Sequence, residues 1–206
     1  MAEKHKNAAL GFTVKSGWAC AVLLAGSADA PEVVDCRRIE LSDPDIPESR
    51  QPHHDGFGTA RAEGRELTRL VTSVERFGRE SVDVLLGEYQ KGGHRLRGVG
   101  VVVGSLIDPA KLGNSHVRIH ALEGQLFRRV IEDGAQRSKL KYSIWRERDL
   151  YGVAAGSLRR PEPGIRTTLT ALGKGVDGSW RAEHKAAALA AWLVLVGGPT
   201  IRAARL

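Results

Sequence analysis

Gly98-Val99-Gly100-Val101-Val102-Val103-Gly104 is a run of glycine and valine with no polar side chain in it. β-Branched residues of this kind favour a strand. A run without polar alternation suits a strand covered on both faces at the centre of a sheet. Such a strand needs a layer above and a layer below, so this stretch predicts an α/β fold of three layers around a central mixed sheet.

The flanking sequence supplies those layers. Upstream, Thr59 to Tyr89 carries Leu67, Leu70, Val71, Val74, Phe77, Val82, Leu85 and Leu86 at helical spacing, with Gly78 as a point of bending and Gly92-Gly93 as the stop. Downstream, Asp108-Pro109 and Gly113-Asn114 punctuate a loop. Ser115 then caps a helix running to about Gly134, with Val117, Leu122, Leu126, Val130 and Ile131 as its apolar side. Tyr142 to Trp145 reads as a short strand and Asp149 to Leu158 as a short helix. Arg159 to Gly164 reads as a basic turn, Thr167 to Gly173 as a short helix or turn, and alanine-rich Arg181 to Val196 as the last helix.

At the N-terminus, Phe12, Val14, Trp18, Cys20, Val22 and Leu24 all fall on even positions, which predicts one strand over Leu10 to Leu24 with a bulge at Gly17. Val33 to Leu41 forms the second arm of a hairpin centred near Ala28, with Cys20 opposite Cys36 and Val22 opposite Val34. The thiols are expected as packed neighbours rather than a disulfide. Residues 1–9 are expected as a flexible tail and residues 10–206 as a single domain.

The chain of 206 residues carries 31 Lys and Arg against 24 Asp and Glu, a net charge of +7. That excess favours a polyanionic partner, nucleic acid above all. The first eight residues are largely polar and charged with no signal-type apolar core after them, and the apolar run Ala186 to Val196 is too short to span a bilayer. A reducing cytoplasm and no membrane partner are therefore expected. The oligomeric state is left open, a homodimer included.

Ser115-His116-Val117-Arg118-Ile119-His120-Ala121-Leu122-Glu123 is the densest group of chemical side chains. On a helix, His116, His120 and Glu123 share one face. The two histidines have the spacing of a metal pair, but Glu123 stands about 10.5 Å along the axis from His116, so a divalent ion on the pair would draw its other ligands from elsewhere. These three are candidate catalytic residues, with His116 and His120 as candidate metal ligands. Lys15 and Ser16, beside Gly17, and Ser105, after the central strand, are candidate phosphate contacts. Arg61, Arg65 and Arg69, spaced by four, form a basic row that Arg128, Arg129, Arg137, Lys139 and Lys141 could extend into a nucleic-acid track. His53-His54-Asp55 sits in a long proline-bearing loop. The chain has no phosphate-binding G-x-x-x-x-G-K-[ST], no G-x-S-x-G and no C-x-x-C.

Leu10-Gly11-Phe12-Thr13-Val14-Lys15-Ser16-Gly17-Trp18-Ala19 resembles the first strand of the RuvC-type resolvases of the ribonuclease H-like superfamily, through Gly11 and Gly17-Trp18-Ala19. The order hairpin, long helix, buried strand, helix, strand, final helix is similar to that superfamily over most of the chain. The resemblance implies a ribonuclease H-like fold. It places the family's first catalytic aspartate at Thr13, or by a shorter offset at Phe12, and its second carboxylate near Gly104-Ser105, leaving Glu183 on the last helix as the position that keeps a carboxylate. It thus implies a nucleic-acid or phosphorylated-ligand binding protein without two-metal nuclease chemistry. The alternatives are a metal-dependent hydrolase or nuclease built on His116, His120 and Glu123, and a non-catalytic interaction scaffold.

Overall fold

A computed structural model describes residues 6–56 and 58–199. Five strands form one sheet in the order β3-β2-β1-β4-β5: β1 (Lys6–Lys15), β2 (Trp18–Gly26), β3 (Pro31–Glu40), β4 (His94–Val103) and β5 (Lys141–Arg146). β2 runs antiparallel to both β1 and β3, whereas β4 is parallel to both β1 and β5. Five helices complete the fold: α1 (Arg65–Lys91), α2 (Ser115–Arg137), α3 (Glu147–Leu158), α4 (Glu162–Leu172) and α5 (Ala182–Leu195). α1 and α2 cover one face, packing Val74, Leu86, Phe127 and Ile131 on Leu10, Phe12, Leu23 and Val101. α3, α4 and α5 cover the other, packing Leu150, Leu169, Leu189 and Trp192 on Ala9, Val22, Leu24 and Val102. The three-layer expectation holds, and the glycine-valine run lies at its centre. No helix is long and apolar enough to cross a membrane among the described residues.

α5 sits close to the sheet because the sequence removes side chains at the contact. A Cβ on Gly11 would overlap the carbonyl oxygen of Ala187, and one on Gly100 would stand 2.8 Å from that of Ala190. Alanines 186–188, 190 and 191 keep the helix surface equally low. On the opposite face, Gly78 does not interrupt α1. Its missing side chain lets α1 approach Val130 of α2 instead.

The structure corrects several expectations. Leu10 to Leu24 is two strands joined by a tight turn at Ser16-Gly17, with Lys15 paired to Trp18 and Gly17 at φ +84°. The even-position pattern runs unbroken through the turn while the buried face inverts: Phe12 faces α1 and α2, but Cys20, Val22 and Leu24 face α5. β1 begins at Lys6 and Ala8 and Ala9 are buried, so residues 6–9 are strand rather than tail, and residues 1–5 lie outside the described residues. The β2–β3 register is shifted by two, with Cys20 opposite Arg38 and Val22 opposite Cys36, because the connection is wider and Val34 of β3 is left out between the Leu23–Asp35 and Leu24–Val33 pairs. α1 starts at Arg65 rather than Thr59, leaving Arg61 outside the helix. Asn114, not Ser115, caps α2, its Oδ1 accepting the amide of Val117 at 3.0 Å. Val117 is exposed, and Ile119, Glu123 and Phe127 take the buried side. The basic turn at Arg159 to Gly164 is shorter than expected, since α4 already begins at Glu162.

Candidate functional site

The carboxyl ends of parallel strands β1 and β4 open into a crevice, the usual ligand position in an open α/β sheet. Its volume is about 380 Å³, and Lys15, Ser16, Ser105, Asp108, His120 and Arg128 line it. The β1–β2 turn delivers Lys15 and Ser16, the exit from β4 delivers Ser105, and α2 delivers His120 and Arg128. Three sequence-predicted phosphate contacts thus meet in one place. The Ser105 hydroxyl oxygen also accepts the amide of Ile107 at 3.1 Å, which fixes the strand exit. Asp108 is engaged as a cap, accepting the Ala110 amide at 2.9 Å. No carboxylate among the described residues stands within ion-pair distance of Lys15 or Arg128.

A second hollow adjoins the first, with His120 on the wall of both; its other lining residues include Arg50, Gln51, His54, Arg61 and His116. Here the histidines gather more tightly than spacing alone predicts. The Nε2 atoms of His116 and His120 are 3.1 Å apart, and the His54 ring lies 5.1 Å from that of His120. Burial holds the His120 imidazole below its ordinary range, helped by the neighbouring His116 and His54 and opposed by Glu123. His120 is therefore neutral near pH 7.

Glu123 plays a different part from the one its spacing suggests. Its side chain is 1% exposed. Oε1 accepts the backbone amide of His53 at 2.7 Å and faces Nδ1 of His54 at 3.2 Å, while Oε2 has no partner among the described residues. The carboxylate ties the loop of His53 and His54 down onto α2. Arg61 reinforces the same loop, donating to the carbonyls of Pro52 and His54 at 2.9 and 2.8 Å. Because Arg61 lies off the helix, the row Arg61, Arg65, Arg69 is broken. Arg65 and Arg69 lie on exposed α1 surface, and Arg69 is bound to Glu66.

Glu183 lies on the other face of the sheet, at the start of α5, and does not converge with His116 and His120. The Thr13 hydroxyl donates to its carbonyl at 3.2 Å. Phe12 is fully buried against α1 and α2, which leaves Thr13 as the β1 residue beside Glu183.

A structure of Thermus thermophilus RuvC superposes with a TM-score of 0.57 and 8% identity, covering 94% of this chain and 98% of that one. T. thermophilus RuvC in complex with a Holliday junction substrate gives 0.53 and 11% over 91% of both chains. The fold is that of RuvC, ribonuclease H-like. No family model and no curated protein matches the chain.

The RuvC fold brings with it the question of a two-metal centre. Hard cations in such centres are held by carboxylates. At the positions to which the sequence resemblance points, this chain has the Thr13 hydroxyl, Gly104, Ser105 and Glu183, and Thr13 spends its proton on a backbone carbonyl. These residues do not fit such a pair of ions.

Proposed function

We propose that the chain binds nucleic acid through the crevice at the ends of β1 and β4, contacting phosphates with side-chain charge and hydroxyls rather than carboxylate-held metal. The lining of that crevice carries the reading: Lys15, Ser16, Ser105, His120 and Arg128 face it, and its acidic member, Asp108, is occupied as a cap. Lys15 and Arg128 supply charge, Ser16 supplies a hydroxyl, and Arg61 extends the surface past His116. Arg65 and Arg69 would take outlying phosphates. One RuvC neighbour is in complex with a Holliday junction substrate, which supports nucleic acid as the ligand class.

The test is fluorescence anisotropy with labelled single-stranded, duplex and four-way-junction DNA, and with RNA, over a salt series. Affinity that falls steeply with salt is expected, with a slope of about −0.9 per duplex phosphate neutralised. Absence of binding at low salt overturns the reading.

A second reading places metal-dependent hydrolysis at His116 and His120. Their 3.1 Å Nε2 separation favours it, being near the edge of about 3.4 Å set by two zinc–nitrogen bonds in a tetrahedron. Metal-stimulated phosphodiester cleavage that disappears in His116→Ala would establish it. Cleavage unchanged by that substitution would remove it.

A further inference from the structure

Across the sheet from the crevice, three soft ligand groups meet that the binding reading leaves unused. Cys20 of β2, Cys36 of β3 and His184 of α5 bring two sulfurs and an imidazole nitrogen within 4.8 Å of one another. Both cysteines are free thiols.

The β2–β3 register decides what these thiols can do. Cys36 is paired with Val22, so Cys20 lies diagonally from it, one pleat period away. Diagonal neighbours have Cα atoms roughly 7–8 Å apart, outside the range for an unstrained disulfide of about 4.4–6.8 Å. The side chains nevertheless lean together, bringing the two sulfurs within 4.8 Å of each other. A sulfur pair that is close yet unable to bond without backbone movement suits an ion placed between its members.

His184 completes the set. Its Nδ1 accepts the backbone amide of Arg181 at 3.0 Å, which anchors the ring at the start of α5. The ring stacks on Trp180, which fixes its plane. The Glu183 carboxylate is adjacent, with an oxygen 4.0 Å from Nδ1.

We propose that Cys20, Cys36 and His184 form a binding site for a soft or borderline transition-metal ion, zinc above all. Thiolate and imidazole ligands select Zn²⁺ over Mg²⁺ or Ca²⁺. On binding, the ion sheds water ligands, two thiol protons leave to solvent, and two Zn–S bonds and one bond to a ring nitrogen of neutral His184 form. Water or the Glu183 carboxylate takes the fourth position. A tetrahedral site has sulfur–sulfur edges of about 3.8 Å for Zn–S near 2.3 Å, so the side chains draw in by up to about 1 Å. The ion then ties edge strand β3 to the first turn of α5.

The experiment loads reduced, chelator-treated full-length protein with Co²⁺ and then Zn²⁺. One equivalent of Co²⁺ is expected to give thiolate-to-cobalt charge transfer and the strong visible bands of tetrahedral Co²⁺, both displaced by one equivalent of Zn²⁺. Cys36→Ser and His184→Gln should each weaken binding by ~100-fold or more, beyond what loss of an outer-shell partner costs, while His116→Ala leaves the spectrum unchanged. As a readout on the unmutated chain, Zn²⁺ should slow alkylation of Cys36. Absence of thiolate bands, undiminished alkylation, or binding that survives Cys36→Ser but not His116→Ala overturns the proposal.

Discussion

The two faces of the sheet solve the same packing problem in different ways. On the α1–α2 side, large side chains such as Phe12, Phe127 and Leu86 fill the gap, and the rim is polar, with a buried carboxylate and several histidines. On the α5 side the gap is almost closed, with backbone against backbone through Gly11, Gly100 and a row of alanines, and the rim carries sulfur and imidazole. Between helices and sheet, the room therefore lies where side chains hold the layers apart; the hollow of about 770 Å³ on the α5 side lies among α3, α4 and α5 instead. Where the layers touch, the rim is suited to an ion. Position at the end of a strand does not by itself define a site; layer thickness decides what fits.

The sharpest way to break this contrast is to thicken the thin side. Gly11→Val should destabilise the protein by about 3 kcal/mol or more, read as a lowered urea midpoint, because the added Cβ runs into the backbone of Ala187 and Ala191. An unchanged midpoint would mean that α5 can lift at no cost and that the faces do not differ. Next in size, Glu123→Ala should cost about 2 kcal/mol through loss of its charge-assisted hydrogen bonds, and should speed amide exchange at His53 and Arg61. Unaltered exchange there would show that the loop is held without the carboxylate.

The binding role of the thick side is sharpened by Lys15→Ala and Arg128→Ala. Each should weaken DNA binding and lower the salt slope by about 0.9 without moving the melting temperature. Equal loss from Arg148→Ala, on the other side of the sheet, would make the charge effect general rather than local. A gain is expected from Gly87→Ala in α1, where nothing lies within 4 Å of the added methyl. It should stabilise by roughly 0.5–1 kcal/mol through helix propensity.

The smallest effect is a titration. The His120 ring proton resonance should inflect below the ordinary histidine value of 6.5. A lowered folded-state value means that the unfolded chain takes up the proton first. His120 therefore contributes stability that is complete above pH 6.5 and lost as pH falls through the unfolded and then the folded value. His120→Gln should flatten this part of the stability profile, and an inflection above 6.5 would contradict the environment described.

Much of this was legible in the sequence because it rests on local pattern. The Gly98 to Gly104 run announced a central strand, the stripe from Leu67 to Leu86 announced α1, and Gly11 with Gly17-Trp18-Ala19 pointed to the ribonuclease H-like fold. What escaped depends on partners distant along the chain. The Ser16-Gly17 turn was hidden because a two-residue turn preserves the even-position rhythm while reversing the face. The contacts of Glu123 were not legible because its partners, His53 and His54, come from a loop whose path no periodicity reports. The thiol pair was legible from the hairpin, but His184 was not, since only the seating of α5 brings it there.

The Ser16-Gly17 turn has a consequence for the history of this chain. The carbonyl of Gly17 receives the amides of both Leu41 and Ser42, and a Cβ at Gly17 would press to 2.5 Å from the side chain of Arg50. A turn clamped from outside in this way cannot lengthen without releasing the exit of β3. Drift in this segment is confined to substitution at constant length, so Leu10 to Trp18 can serve as a gap-free ruler when more distant kin are placed in register with this chain.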